Sequence, residues 1–159
     1  MIDTTLSFLA GELNGFLGTI FPASEPRAVL SGLVNADGSP PPGIENRIVI
    51  SFANLERETA VAAGGIQNLD IFFLLSSSFR GNYAEALRFL SVSIDFFHST
   101  PVFIPRNSAG FPEGVERLVI EMVNLNIRDV HDLWSGMGCR YLPSAFFRAR
   151  VITSPSGSS

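Results

Sequence analysis

The chain has 159 residues, 46% of them hydrophobic and 16% charged, with fourteen phenylalanines and a net charge of −4. That length suits one domain burying roughly two thirds of its unfolded surface, and the acidic balance supplies no field to draw it to nucleic acid or anionic lipid. The single cysteine, Cys139, excludes an internal disulfide, and no apolar run reaches the roughly 18–20 residues of a membrane span.

Residues 2–20 read as an amphipathic helix. Ile2, Leu6, Leu9, Leu13, Phe16, Leu17 and Ile20 follow a three-four rhythm, and Asp3 favours the N-terminal end. Thr4, Ser7, Gly11, Gly15 and Gly18 form a second stripe of small residues. Each glycine inside a helix costs about 1 kcal/mol against alanine, so the stripe makes sense where another backbone comes close. A neighbouring element or subunit is expected there; a merely frayed helix is the plain alternative.

Residues 21–27 are a connection carrying Pro22 and Pro26, and Ala28 to Val34 reads as a short strand. Residues 35–46, with three successive prolines, cannot enter a sheet interior and read as a stiff surface loop, the alternative being a proline ligand for an aromatic groove. Arg47 to Leu55 alternates, with Ile48, Ile50 and Phe52 on one face. A tight turn at Gly64-Gly65 would return it as a long antiparallel hairpin, roughly 47–62 with 66–76, its outer end bearing Glu56, Arg57 and Glu58. Leu69 to Leu75 is apolar except for Asp70, as in a strand covered on much of both faces.

Asn82 then offers an N-cap, with Glu85 three residues on. Tyr83, Leu87, Leu90, Ile94 and Phe97 are expected on the core side of the helix that follows. Phe89, Val92 and Phe96 widen its apolar arc beyond what one sheet needs, which suggests a second docked surface. His98 suits the last turn and Pro101 forbids continuation.

Residues 99–116 form a long loop with three prolines, kept from disorder by Val102, Phe103, Ile104 and Phe111. Arg117 to Leu125 reads as a strand. Ile127 to Trp134 reads as a short helix with Ile127, Val130 and Trp134 on one side, closed by Gly136 and Gly138. Ala145 to Ile152 is a last strand, with Phe147, Ala149 and Val151 facing one way and Arg148 and Arg150 the other. The sum is an α+β fold: a mixed, largely antiparallel sheet of about five strands, a long central helix, an N-terminal helix and a short third helix. Residues 1–153 are read as one domain and 154–159 as a flexible tail.

Catalytic signatures are missing. Ser135 sits in LWSGMG, with Leu133 where a nucleophile elbow needs glycine. Gly136-x-Gly138 follows a helix and completes no dinucleotide fingerprint, and all eleven basic residues are arginine, which excludes a Walker lysine. His98, His131 and Cys139 have no metal spacing. No arginine cluster with interleaved aromatics points to nucleic acid. No catalytic, cofactor-binding or metal-ligating set is assigned, and the chain is read as a non-enzymatic binding or structural domain. The lone thiol and the lack of a basic-then-apolar N-terminal stretch lead one to expect the cytosol of the producing cell.

The segments MIDTTLSFLAGELNGFL, VLSGLVNADGS, NRIVISFANLERE, YAEALRFLSVSIDFFHSTPVF, FPEGVERLVIEMVNL and LWSGMGCRYLPSAFFRARVI occur in that order. Together they resemble the N-terminal domain of the cap, or tail-terminator, protein of extracellular contractile injection systems of the antifeeding-prophage and virulence-cassette type. That resemblance implies a fold like contractile phage tail terminators. It also implies a homo-hexameric ring on the distal end of the inner tube and sheath that stops their growth, without cofactor, nucleic acid or membrane. Within such a ring, Gly11, Gly15 and Gly18, with Phe89 and Phe96, are the candidate subunit contacts. Glu56, Arg57 and Glu58 of the hairpin, the edge of the last strand, and Arg148 and Arg150 are the candidate sheath or tube contacts. The competing readings are a neck or adaptor protein beneath another cap, and a cytosolic ligand-binding domain or small enzyme with a pocket under residues 99–116.

Overall fold

The computed structural model describes residues 1–57 and 68–153. Among these the order is α1 (Ile2–Ile20), β1 (Ala28–Leu30), β2 (Arg47–Arg57), β3 (Asn68–Ser78), α2 (Tyr83–Ser99), β4 (Val102–Phe103), β5 (Val115–Met122), α3 (Ile127–Met137) and β6 (Ser144–Thr153). The strands form one six-stranded sheet in the order β1-β2-β3-β6-β5-β4. Only β1 runs parallel to its neighbour; every other pairing is antiparallel. The architecture is α+β, as the sequence implies. The added strand, β4, lies inside the segment read as loop, where Val102 and Phe103 pair with Val119 and Leu118. The hairpin of β2 with β3 is present, while its turn at Gly64-Gly65, Glu58 and the tail from 154 lie outside the described residues.

Alternation along the strands assigns two faces. On one, Ile48, Ile50, Ile71, Phe73, Leu75, Leu118, Ile120, Phe147, Ala149 and Val151 pack with Leu6, Leu9, Leu13 and Leu17 of α1 and with Phe89 and Phe97 of α2. On the other, Val49 and Leu74 pack with Trp134 of α3 and with Leu33 and Ile44 from the segments flanking the proline run. β3 therefore has cover on both sides, and Ile71 to Ser77 are all buried. A strand in that position has no solvent face on which to place polar residues, which explains its near-continuous apolar run.

Helix α2 is turned from the face its leucines suggest. Tyr83 is 69% exposed and Leu87 41%, while Ala86, Phe89, Ser93 and Phe97 are buried. Small side chains let the helix approach the sheet: Ser77 Oγ on β3 donates to the Ala86 carbonyl at 2.7 Å, and Ser93 Oγ donates back to Phe89 O at 2.8 Å. Asn82 caps the helix through its side-chain oxygen, which accepts from Glu85 N at 3.1 Å.

Helix α3 is capped likewise by Asn126 and ends on Gly138, whose positive φ of 69° suits the left-handed cap. Trp134 is buried as expected, but Ile127 is 89% exposed, because the first turn of α3 extends past the sheet face that Trp134 covers. In β6 the expected alternation holds: Phe147, Ala149 and Val151 are buried, with Arg148 and Arg150 on the other face.

Candidate functional site

Three surfaces carry the residues singled out from the sequence, and a fourth stands apart from them. The first is the outer side of α1. Gly11, Gly15 and Gly18 are exposed, and a Cβ built on any of them would meet nothing within 4 Å. No described element of the same chain packs on this ridge. Beside it runs an open trough of about 500 Å³ between Thr4, Ser7, Gly11 and Glu12 on the helix and Ala109-Gly110 on the loop. Ser108 Oγ donates to Glu12, and Phe103 and Phe111 meet Phe8 edge-on at 5.6 and 5.2 Å. The aromatic rings thus fill the underside of loop 99–116, where a ligand pocket was one of the readings.

The second is the aromatic stripe of α2, and here the expectation of a free docking surface is corrected. Phe89 is 1% exposed. It stacks on Phe21 at 4.0 Å, touches Phe79 at 4.6 Å, and lies under the Arg27 guanidinium. Phe96 is half-buried and stacks on Phe16. The second surface that docks on α2 is α1 of the same chain.

The third is the outer half of the hairpin and the sheet face above it. β1 pairs with β2 only from Ile48 to Ile50. Among the described residues no strand lies against the outer edge of β2 beyond that point. The register shifts between Phe52 and Asn54, and Phe52 and Leu55 are 48% and 40% exposed. Glu56 faces Asp70 directly across the hairpin, a like-charged pair. Asp70 accepts from Arg150 Nε at 3.2 Å, and Arg148 forms an ion pair with Glu121. The two arginines share one face as expected, but each is held by an acid of a neighbouring strand. The edge of the last strand is also corrected. β6 lies in the middle of the sheet, paired along one side with β3 and along the other with β5, so its backbone groups are taken.

The fourth surface was not assigned a role from sequence. At the opposite end of the sheet a cleft of about 940 Å³ opens between Pro40-Pro41-Pro42 and residues 139–142. Leu33, Ile44, Phe79 and Leu142 supply its apolar lining, and Glu45, Arg80, Arg140 and Tyr141 its polar groups. The proline wall is fixed by its own loop. Asp37 accepts from the Ser39 backbone N–H and hydroxyl, and Asn35 donates to Ser39. Those hydrogen bonds hold the Asp37 carboxyl below its ordinary pKa. Arg80 is 3.7 Å from Glu45, whereas Arg140 has no acidic partner among the described residues. Cys139 lies half-buried in the lining, and burial raises its thiol pKa. The signals for this cleft were the proline run and the Arg140-Tyr141-Leu142-Pro143 segment, each visible separately but far apart in sequence.

Among the described residues, no cluster of three or more His, Cys, Asp or Glu side chains could hold a metal ion. No described helix is long and apolar enough to cross a membrane. Residues 6–159 match the family described as the Pvc16 N-terminal domain. The chain belongs to that family. No curated protein matches it. Among solved structures it is similar to the sheath/tube terminator of PVC, an extracellular contractile injection system, seen by cryo-EM in the extended state. The identity is 18% and the TM-score 0.41, with 68% of this chain and 43% of that chain covered. This Pvc16 N-terminal domain thus spans less than half the length of that terminator chain.

Proposed function

We propose that this chain is a structural, non-enzymatic cap of a contractile injection particle. Six copies form a ring on the distal end of the inner tube and sheath, and the ring stops their growth. The observation that carries this reading is membership of the Pvc16 N-terminal domain family over residues 6–159.

The surfaces support it with a division of labour. The bare glycine ridge of α1 at Gly11, Gly15 and Gly18 leaves room for the backbone of another subunit. The outer half of β2, bearing Glu56 and Arg57, has no described strand on its outer edge and is a second surface open to a protein partner. Arg148 and Arg150, bound to Glu121 and Asp70, stiffen the sheet face between strands and offer little charge to a partner. Each contact need only be weak, because six copies on one ring act through effective concentration.

The test is to image particles assembled with and without this chain. Loss of length control and of density at the distal end is expected without it. Tubes and sheaths of unchanged length distribution would remove the capping role.

A further inference from the structure

The two ends of the sheet complement each other, and one chain cannot bring them together. At one end, Glu56 is exposed, opposes Asp70, and has no cationic partner among the described residues; exposed Leu55 and Phe52 lie on the other face of the same strand segment. At the other end, Arg140 is exposed without an acidic partner, in a cleft with an apolar lining from Leu142, Phe79 and Ile44. Arg57 beside Glu56, and Glu45 beside Arg80, repeat the complement with signs reversed.

In the β2–β3 register, Arg57 is opposite Leu69 while Arg47 is opposite Ser78. At roughly 3.3 Å per residue the two ends of the hairpin are about 30 Å apart. A contact between them therefore joins different copies head to tail. Such a heterologous contact gives a ring where the rotation between copies closes and an open filament where it does not, and the ring reading takes the closed case.

We propose that the outer half of β2, Phe52 to Arg57, docks into the cleft of the next copy of this chain, with Glu56 on Arg140 and Arg57 on Glu45. The inference rests on the ring reading above and adds a contact between subunits to the one at the glycine ridge. The cleft is ready-made for it: the Asn35–Asp37–Ser39 bonds and the proline run fix one wall before any partner arrives, so little ordering entropy is lost on docking.

Charge exchange tests this directly. Neither reversal threatens the fold, since Arg140 is exposed and Glu56→Arg relieves the like-charge pair with Asp70. Glu56→Arg and Arg140→Glu are each expected to raise the protein concentration at half-assembly about tenfold, and the double variant to restore it. Assembly is read by light scattering in solution and by ring density at particle ends. Rings that form equally well in all variants, or a double variant as weak as the two losses combined, would overturn the contact and leave the ring standing. Wild-type chain that forms no ring in solution or on particles would overturn both.

Discussion

Phe16 of α1 stacks on Phe96 of α2 with ring centroids 4.9 Å apart and planes 30° apart. Just past the end of α1, Phe21 stacks on Phe89, and the Arg88 guanidinium lies over the Phe21 ring at 4.8 Å from its centroid. These stacks fasten the N-terminal helix across the back of α2. They give the apolar arc of α2 two neighbours, the sheet and α1. Without α1 in place, α2 would expose Phe89 and Phe96 together.

The stacks set the order of stability effects. Phe89 is fully enclosed, so Phe89→Ala leaves a cavity and is expected to cost about 3–5 kcal/mol. Phe96 is half-buried, and Phe96→Ala should cost about 1–2 kcal/mol. Urea unfolding of both variants checks the ranking. A larger loss at Phe96 would mean that burial does not set the cost at these two positions.

Gly15 separates folding from assembly. It lies inside α1 with open space where a Cβ would point. Gly15→Ala should raise stability by up to about 1 kcal/mol through helix propensity alone. Gly15→Leu should fold and yet reduce ring occupancy at particle ends, because its branched side chain stands where another backbone must pass. Thermal unfolding followed by circular dichroism, beside imaging of capped ends, measures the two effects independently. Full occupancy with leucine would free the ridge of any role in assembly.

Arg148 and Arg150 are expected to behave as parts of the fold. The Asp70 carboxylate has only 15% side-chain exposure and accepts from Arg150. Arg150→Glu sets two acids against each other there and should cost about 1–3 kcal/mol. Arg148→Glu meets the more open Glu121 and should cost less. Denaturation midpoints test this; midpoints unchanged in both variants, with capping lost, would return the pair to the interface.

Much of this was legible from residue order. The three helices, the Asn82 cap and the pairing of β2 with β3 follow from local rules, since period and cap chemistry act over a few positions. So does the double cover of β3, because its apolar run leaves no polar face. What failed depended on partners distant in sequence. The working face of α2 is chosen by Ala86 and Ser93 fitting under Ser77 and by α1 arriving from behind. The interior place of β6 depends on β5 pairing across it, which no local pattern encodes. β4 is only two residues long and too short to show a period. Of the candidate surface residues, the glycines and Glu56 lie exposed where their pattern put them, while Phe89 was claimed by the core. The cleft needed Pro40 and Arg140 brought together by the fold, so neither segment alone announced it.

Cys139 reports on that cleft without any engineered probe. Burial raises its thiol pKa, so the folded chain binds this proton more tightly than the unfolded one. The contribution to stability is present below the unfolded thiol's pKa and is lost as pH rises through the folded value. At pH about 8 the thiolate fraction is therefore lower in the folded chain than in a free cysteine. Iodoacetamide should alkylate Cys139 more slowly in the native protein than in urea, and the gap should narrow as pH rises past the folded value. A docked neighbour would lower the rate again, so alkylation should slow with increasing protein concentration in wild type and not in Arg140→Glu. Mass spectrometry of timed samples gives both comparisons. Equal native and unfolded rates would mean that the thiol stands clear of the cleft wall, and a rate independent of concentration in wild type would leave the cleft unoccupied by a second copy.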